Sequence, residues 1–421
     1  MSPTFAESII DTLRVAAQRI GIETPVTWSA ASVTTAVLAG SFALFRLVYH
    51  RPSKRQSLPS ESHEKKKMPQ IAVKPQDGTV KVAEILIHPI KSCRGTSVQT
   101  AKYTPEGLEN DRKWCIIDAT TNTVITARDF PRMVLITPRI ESNPSSAHGG
   151  SLVVTFPPNA PAECTEFHVP LQPSADTLKG WEIIDKIGLF DHHVDGYIGQ
   201  SLPSPSSSAP STSASEILSR YFGKPVHLVY KGPRARAVDA THAFPDLQAT
   251  SVFQDMYPLL VLSKESMCEV EREVRKRVGE QGVDEMWREE RVELRRFRPN
   301  IVFEGGGPFA EDQWEEVAIG RTDAPVITLV SKCARCLLPN VSPETGVRDK
   351  AVPYKVIMKF RTGVDPIDKM KPCVGCNGVP AADGVMNGGV VQTPFQFSIF
   401  ILKVSASIGT ELKCKHLRSE G

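Results

Sequence analysis

The sequence predicts a mainly β protein with flanking helices (α+β), built from two barrel-like β domains and preceded by one membrane-spanning helix. Three observations carry this. Short β-branched runs separated by Gly, Asn and Pro recur from residue 80 onward, as they do in barrels and sandwiches. Charged, helix-patterned segments interrupt them only near Glu216–Phe222 and Ser263–Val278. Ahead of both lies a stretch of 22 residues, Thr24 to Phe45, with no charged side chain.

In chain order, residues 1–23 form an N-terminal segment and 24–49 the anchor. At about 1.5 Å per residue the uncharged stretch reaches roughly 33 Å, enough for a hydrocarbon core of about 30 Å. Trp28 and Tyr49 sit near its ends, where aromatic rings favour the interface. Arg46, Arg51, Lys54, Arg55 and Lys65–Lys67 follow it, whereas only Arg14 and Arg19 precede it. The more basic flank stays in the cytosol, so the bulk of the chain is expected there. Residues 50–78 are polar, most densely from Pro52 to Gln76, and read as a solvated linker.

The first β domain is expected over 79–230. Its strands are read at Val80–Pro89, Trp114–Asp118, Asn122–Thr126, Met133–Thr137 and Ser151–Thr155. Ser201–Ser215 is of low complexity and reads as a disordered insertion. The second domain is expected over 231–391, with Ser263 as a helix N-cap and strands at Asn300–Phe303 and Pro325–Val330. The Arg/Glu-rich run Glu271–Arg296 reads as a solvated helical face. Residues 392–421 form an atypical tail.

Composition narrows the function classes. A formal net charge of +3, with no basic stripe interleaved with aromatics, gives no reason to expect nucleic acid. Nine cysteines in 421 residues do not make a disulfide scaffold, and two C-x-x-C pairs suit a reducing compartment where thiols serve metal or catalysis. The pairs are Cys333-Ala-Arg-Cys336 and Cys373-Val-Gly-Cys376, with 36 residues between them. By spacing alone the four thiolates form a candidate zinc site. Neither pair clearly opens a helix after a strand, as a thioredoxin-type dithiol would. No G-x-G-x-x-G follows a strand, and no cysteine set fits an iron–sulfur cluster.

The surroundings of the first pair are more specific. Val330-Ser-Lys-Cys-Ala-Arg-Cys-Leu-Leu-Pro-Asn-Val-Ser-Pro-Glu-Thr-Gly346 is preceded by His88-Pro-Ile-Lys-Ser-Cys93, Gly107-Leu-Glu-Asn-Asp-Arg-Lys-Trp114, Thr126-Ala-Arg128 with Pro131-Arg132, and Phe297-Arg-Pro-Asn300. In this order, over about residues 80 to 380, the set resembles the MOSC superfamily of molybdenum-cofactor proteins. With the anchor and linker it is closest to the mitochondrial amidoxime-reducing component family. The resemblance implies that Cys336 gives a thiolate to molybdenum, a soft ligand for a soft redox metal. It also implies that Lys91, Ser92, Arg112, Asp255, Met256, Tyr257, Arg298, Asn300 and Arg335 contact a molybdenum–molybdopterin cofactor. Arginine's planar fork and lysine's point charge suit a phosphate and a pterin edge.

The implied reaction is reduction of N-hydroxylated compounds such as amidoximes and hydroxylamines. The implied electron donors are a b-type cytochrome and its NADH-dependent reductase, at the outer mitochondrial membrane with the soluble part facing the cytosol. Two rivals stay open: a sulfur-carrier or cofactor-handling MOSC protein using Cys336 as a persulfide, and a non-catalytic, membrane-tethered binding module with zinc on Cys333, Cys336, Cys373 and Cys376. The sequence departs from the family after Gly384, where Gly384-Val-Met-Asn-Gly-Gly-Val-Val391 leads into Phe395–Val404 and a basic tail. This ending is expected to replace the barrel's last strands and leave an exposed edge.

Overall fold

Val82, Ile85 and Ile87 point into one apolar core, which is why the first β run becomes strand β1 (Lys81–Ile87). In the computed structural model, residues 80–203, 212–320, 326–381, 390–392 and 398–404 are described. All belong to the second of two units into which the chain divides, 1–71 and 72–421. The expected anchor and linker lie outside the described residues. Among those described, no helix is long and apolar enough to cross a membrane.

Around β1 closes a ring of seven strands, completed by β2 (Leu259–Ser263), β3 (Ile301–Glu304), β4 (Trp314–Gly320), β5 (Val326–Ala334), β6 (Cys373–Pro380) and β7 (Ser398–Val404). The circuit runs β1–β3–β2–β6–β5–β4–β7 and returns to β1 through the pair Ser398 and Lys81. Only β2 and β3 run parallel, and every other step is antiparallel. Strand β7 lies in the stretch expected to be an atypical tail. Its pairing with β4 and β1 fills the place where an exposed edge was expected, so that expectation is corrected.

A second core, with a smaller one on the other face of its four-stranded sheet, gathers much of the rest of the first half. One sheet orders Trp114–Asp118, Val226–Lys231, His192–Ile198 and Ile183–Leu189. Another orders Thr137–Ser142, Gly150–Thr155 and Phe167–Pro170. Helix α1 (Ala214–Phe222) buries Ile217, Leu218, Tyr221 and Phe222 in this core and ends at Gly223, whose φ of +68° suits a glycine C-cap. Its N-terminus is a capping box between Ser213 and Glu216. The last residues of the expected disordered insertion are therefore helix cap and first turn, while 204–211 lie outside the described residues.

Two expected strands are not strands. Pro131–Leu135 is a 3₁₀ turn with proline at its start, and it buries Met133, Val134 and Leu135 together. A strand would have sent alternate members to opposite faces. At Asn122–Thr126 only isolated bridges form, Val124 to Ile117 and Thr123 to Gly188.

Helix α2 (Lys264–Arg275) starts as expected at Ser263, whose hydroxyl accepts from the Ser266 amide at 3.1 Å. It buries Met267, Val270 and Val274 on one face. The Arg/Glu-rich run does not continue as one helix. It breaks at Arg275 and folds into two 3₁₀ turns that bury Trp287 and Phe297 in one core with helix α3 (Tyr354–Phe360), with Arg296 packed over the Trp287 ring.

Candidate active site

Beyond the end of β1 the chain makes a tight path, His88-Pro-Ile-Lys-Ser, that places Lys91 and Ser92 on the wall of a cavity of about 660 Å³. This lies within the size range of ligand sites, about 300–1,000 Å³. Ser92, Arg112 and Arg298 all line it, and all three hold positive φ, +66°, +49° and +57°. Left-handed backbone at non-glycine residues costs energy and concentrates at functional sites.

Asp111 anchors this region from beneath. It is fully buried, accepts the His88 amide at 2.8 Å, and pairs with the Arg112 guanidinium. Burial alone would raise its pKa, but Arg112 and the His88 contacts outweigh it and hold the carboxyl at about 2. His88 is driven the other way, since burial and the nearby Arg112 and Arg298 keep its imidazole neutral. Arg112 then reaches Asn300 Oδ1 and the Arg298 carbonyl, each at 3.1 Å.

Asn300 has little left to offer a ligand. Its Oδ1 also accepts from the Leu260 amide at 3.1 Å, and its Nδ2 donates to the Leu86 carbonyl at 3.2 Å. It clips β1 to β2 and positions Arg112. Arg298 differs: Nη1 donates to the Cys93 carbonyl, but the buried Nη2 has no partner among the described residues. Burial and the neighbouring Arg112 lower this guanidinium to about 10.

Lys91 donates to the Phe253 carbonyl at 2.7 Å and pairs with Asp255. Burial lowers the ammonium's pKa and Asp255 pulls it back up. About half of the Asp255 side chain is exposed, and the residue lines the cavity. Burial works to raise its pKa, yet Lys91, then Arg128 and Arg112, leave it at about 2. Met256 presents an apolar side chain to the cavity, and the Tyr257 hydroxyl is spent on the Asp239 carbonyl at 3.1 Å.

Cys336 lies just past the end of β5, and its sulfur accepts from the Leu338 amide at 3.5 Å. Arg335 donates through Nη1 to the Cys333 sulfur at 2.9 Å and through Nη2 to the Phe297 carbonyl at 2.7 Å. Its buried Nε has no partner among the described residues. Burial raises the Cys333 thiol, with Arg335 opposing. Both cysteines of the first pair line the cavity, and neither of the second pair does.

The four-thiolate zinc arrangement is not formed. The pairs sit on neighbouring strands, with Lys332 opposite Cys376 and Ala334 opposite Cys373. Cys376 nevertheless packs inside the barrel core and donates to the Glu311 carbonyl at 3.2 Å, away from the cavity. Burial pushes Cys373 up to about 12 and lifts Cys376 well above the ordinary thiol range, so both favour the protonated thiol. Among the described residues, no three Cys, His, Asp or Glu side chains form a cluster able to hold a metal ion.

Sequence reasoning quoted Arg128 in a motif without giving it a role, and it missed Arg236, Lys371 and Phe190. Arg236 is buried and braces the 252–254 segment through the carbonyls of Val252 (3.0 Å) and Gln254 (2.8 Å). No short motif surrounds it that would have marked it.

Comparison with known proteins places this geometry. Residues 79–187 match the MOSC N-terminal beta barrel domain, and 248–392 match the MOSC domain. Mitochondrial amidoxime-reducing component 1 of Mus musculus is 31% identical over 292 residues, which is 68% of this chain and 72% of that protein. The chain belongs to the MOSC family. Further relatives are the proteins of the same name from Homo sapiens, 27% identical over 70% of this chain and 75% of theirs, and from Xenopus laevis, 30% identical over 66% and 71%.

The MOSC cavity fits an anionic, metal-bearing cofactor on its own chemistry. Seven Lys and Arg side chains line it against three Asp. Arg298 Nη2 and Arg335 Nε are buried N–H groups that a ligand's acceptors would satisfy. Cys336 adds a soft donor of the kind a thiophilic metal needs, presented alongside a backbone N–H.

Proposed function

We propose that this chain is a molybdenum-cofactor-dependent reductase of N-hydroxylated compounds, with Cys336 as the protein's ligand to the metal. The observation that carries the reading is the convergence of the Cys336 thiol and seven cationic side chains on one cavity. Names of relatives at 25–31% identity, amidoxime-reducing components, support the substrate class.

Lys91, Ser92, Arg112, Arg298 and Arg335 would hold the cofactor's phosphate and pterin edge, with Arg128 as a further cation. Asp255, kept ionised, holds the Lys91 ammonium in place rather than serving as an acid. Asn300 and Asp111 are positioning residues that aim Arg112. When bound, the cofactor supplies two-electron removal of oxygen from the N–O bond. The overall balance is amidoxime plus two electrons and two protons giving amidine and water.

The electrons are proposed to come from a b-type cytochrome served by an NADH-dependent reductase. The anchor at Thr24–Phe45 is proposed to hold the protein on the outer mitochondrial membrane, facing the cytosol, where confinement raises the partners' effective concentration. The mitochondrial assignment is supported by the names of the relatives.

The test is conversion of benzamidoxime to benzamidine by protein from a host that makes the cofactor, with a reduced viologen dye as donor. Wild type is expected to turn over. Cys336→Ser is expected to lose at least about a hundredfold, the upper end of what loss of a supporting residue beside a metal costs. A wild type with no turnover, or a variant that keeps it, contradicts the proposal.

A further inference from the structure

Phe190 occupies a position that local chemistry argues against. Leu189 pairs with His192, so Phe190 and Asp191 are the two turn residues of the hairpin Ile183–Leu189 and His192–Ile198. Two-residue hairpin turns of the favoured kinds need positive φ at their first residue and select Asn, Asp or Gly there. Phe190 takes φ +54° with a full aromatic side chain, 47% exposed. An exposed aromatic in a strained turn is a local conflict of the sort that marks function.

Its surroundings say which function. The ring lies 4.6 Å from the Arg128 guanidinium and 5.2 Å from the Lys91 ammonium, so the hairpin tip is held over the cavity's cations. Two more exposed large apolar side chains line the same cavity, Met256 beside Asp255 and Leu337 beside Cys336. The cavity lining thus combines cations with exposed apolar side chains, and Cys336 directly precedes one of these in the chain.

We propose that Phe190, with Met256 and Leu337, is the specificity element that selects substrates whose N-hydroxylated group is carried on a flat apolar body. This rests on the reductase reading for the identity of the reacting group. Its packing surfaces stand on the geometry alone. Phe190 does not touch the reacting atoms. It positions the body of the substrate, so its removal weakens aromatic substrates far more than small ones.

The experiment compares wild type, Phe190→Gly and Phe190→Tyr as holoenzymes, with benzamidoxime and hydroxylamine as the two substrates. Glycine suits positive φ, so Phe190→Gly relieves the turn and is expected to unfold no earlier than wild type. The ratio of kcat/KM for benzamidoxime to that for hydroxylamine is expected to fall about tenfold in Phe190→Gly, mainly through KM. Loss of one aromatic packing partner is of this order. Phe190→Tyr should restore most of the ratio, and Met286→Ala, exposed but away from the cavity, should leave it unchanged.

An unchanged ratio, or an equal fall for both substrates, overturns the proposal. The second result would mark Phe190 as support for the cofactor, or for docking of an electron donor. Calorimetric binding of benzamidoxime to the oxidised holoenzyme is the second readout, with about tenfold weaker binding expected in Phe190→Gly. If wild type reduces neither substrate, the reductase reading fails, and the binding comparison still decides the role of Phe190.

Discussion

Asp111→Ala is expected to cost about 3–5 kcal/mol of folding stability, the usual result of removing one partner from a buried ion pair. The carboxylate is wholly buried and neutralises Arg112 while satisfying the His88 amide. Its loss strands both a buried charge and a buried N–H. Urea unfolding would read the loss, and Asp111→Asn, which keeps the shape and one acceptor, should recover part of it. The same group fixes a pH dependence. Its folded pKa of about 2 lies below the usual 3.8. Its contribution, roughly 2–3 kcal/mol, is therefore fully present above about pH 4 and lost as pH falls through 2. Wild type should lose stability in that window more steeply than Asp111→Asn.

Lys91→Ala is expected to lower cofactor content at least about tenfold. A hydrogen bond to a charged group is worth about 1.5–3 kcal/mol, and each 1.4 kcal/mol is a factor of ten. Lys91 is buried, and its ammonium is already fixed by the Phe253 carbonyl and Asp255. Its removal leaves the ionised Asp255 facing an anionic ligand. Molybdenum and pterin per chain would measure the effect. Lys91→Arg should recover little, because a planar fork does not occupy a point-charge site. Cofactor content equal to wild type in Lys91→Ala would show that the phosphate is held elsewhere.

Much of the site was legible in the sequence, for a physical reason. Polar clusters such as His88–Cys93, Gly107–Trp114 and Phe297–Asn300 fall where β runs end or begin, and side chains there converge when strands close into a ring. The roles within those clusters were less legible. Asn300 reads as a ligand contact; it lines the cavity, and its amide also joins Leu86 to Leu260 across two strands far apart in the chain, which no local pattern encodes. The two C-x-x-C pairs read as one metal site because spacing carries no facing. Gly375 takes φ +78° in β6, where a Cβ would come 2.7 Å from the Val261 carbonyl oxygen, and this irregularity turns Cys376 into the barrel core.

Long-range closure was the least visible feature. That β1 completes a barrel built from residues beyond 258, and that Ser398–Val404 supplies the last strand, depends on pairings no local pattern encodes. The strand expected at Met133–Thr137 failed because a run of consecutive apolar residues fits a buried turn as well as a strand.

Cys336 is proposed to hold molybdenum in this cavity. Elemental analysis of the purified protein from Pro52 onward, wild type beside Cys336→Ala, from a host that makes the cofactor, tests it most directly. Near-stoichiometric molybdenum in wild type, its loss in the variant, and no matching zinc are expected. Zinc in place of molybdenum, or molybdenum retained without the Cys336 sulfur, would contradict it.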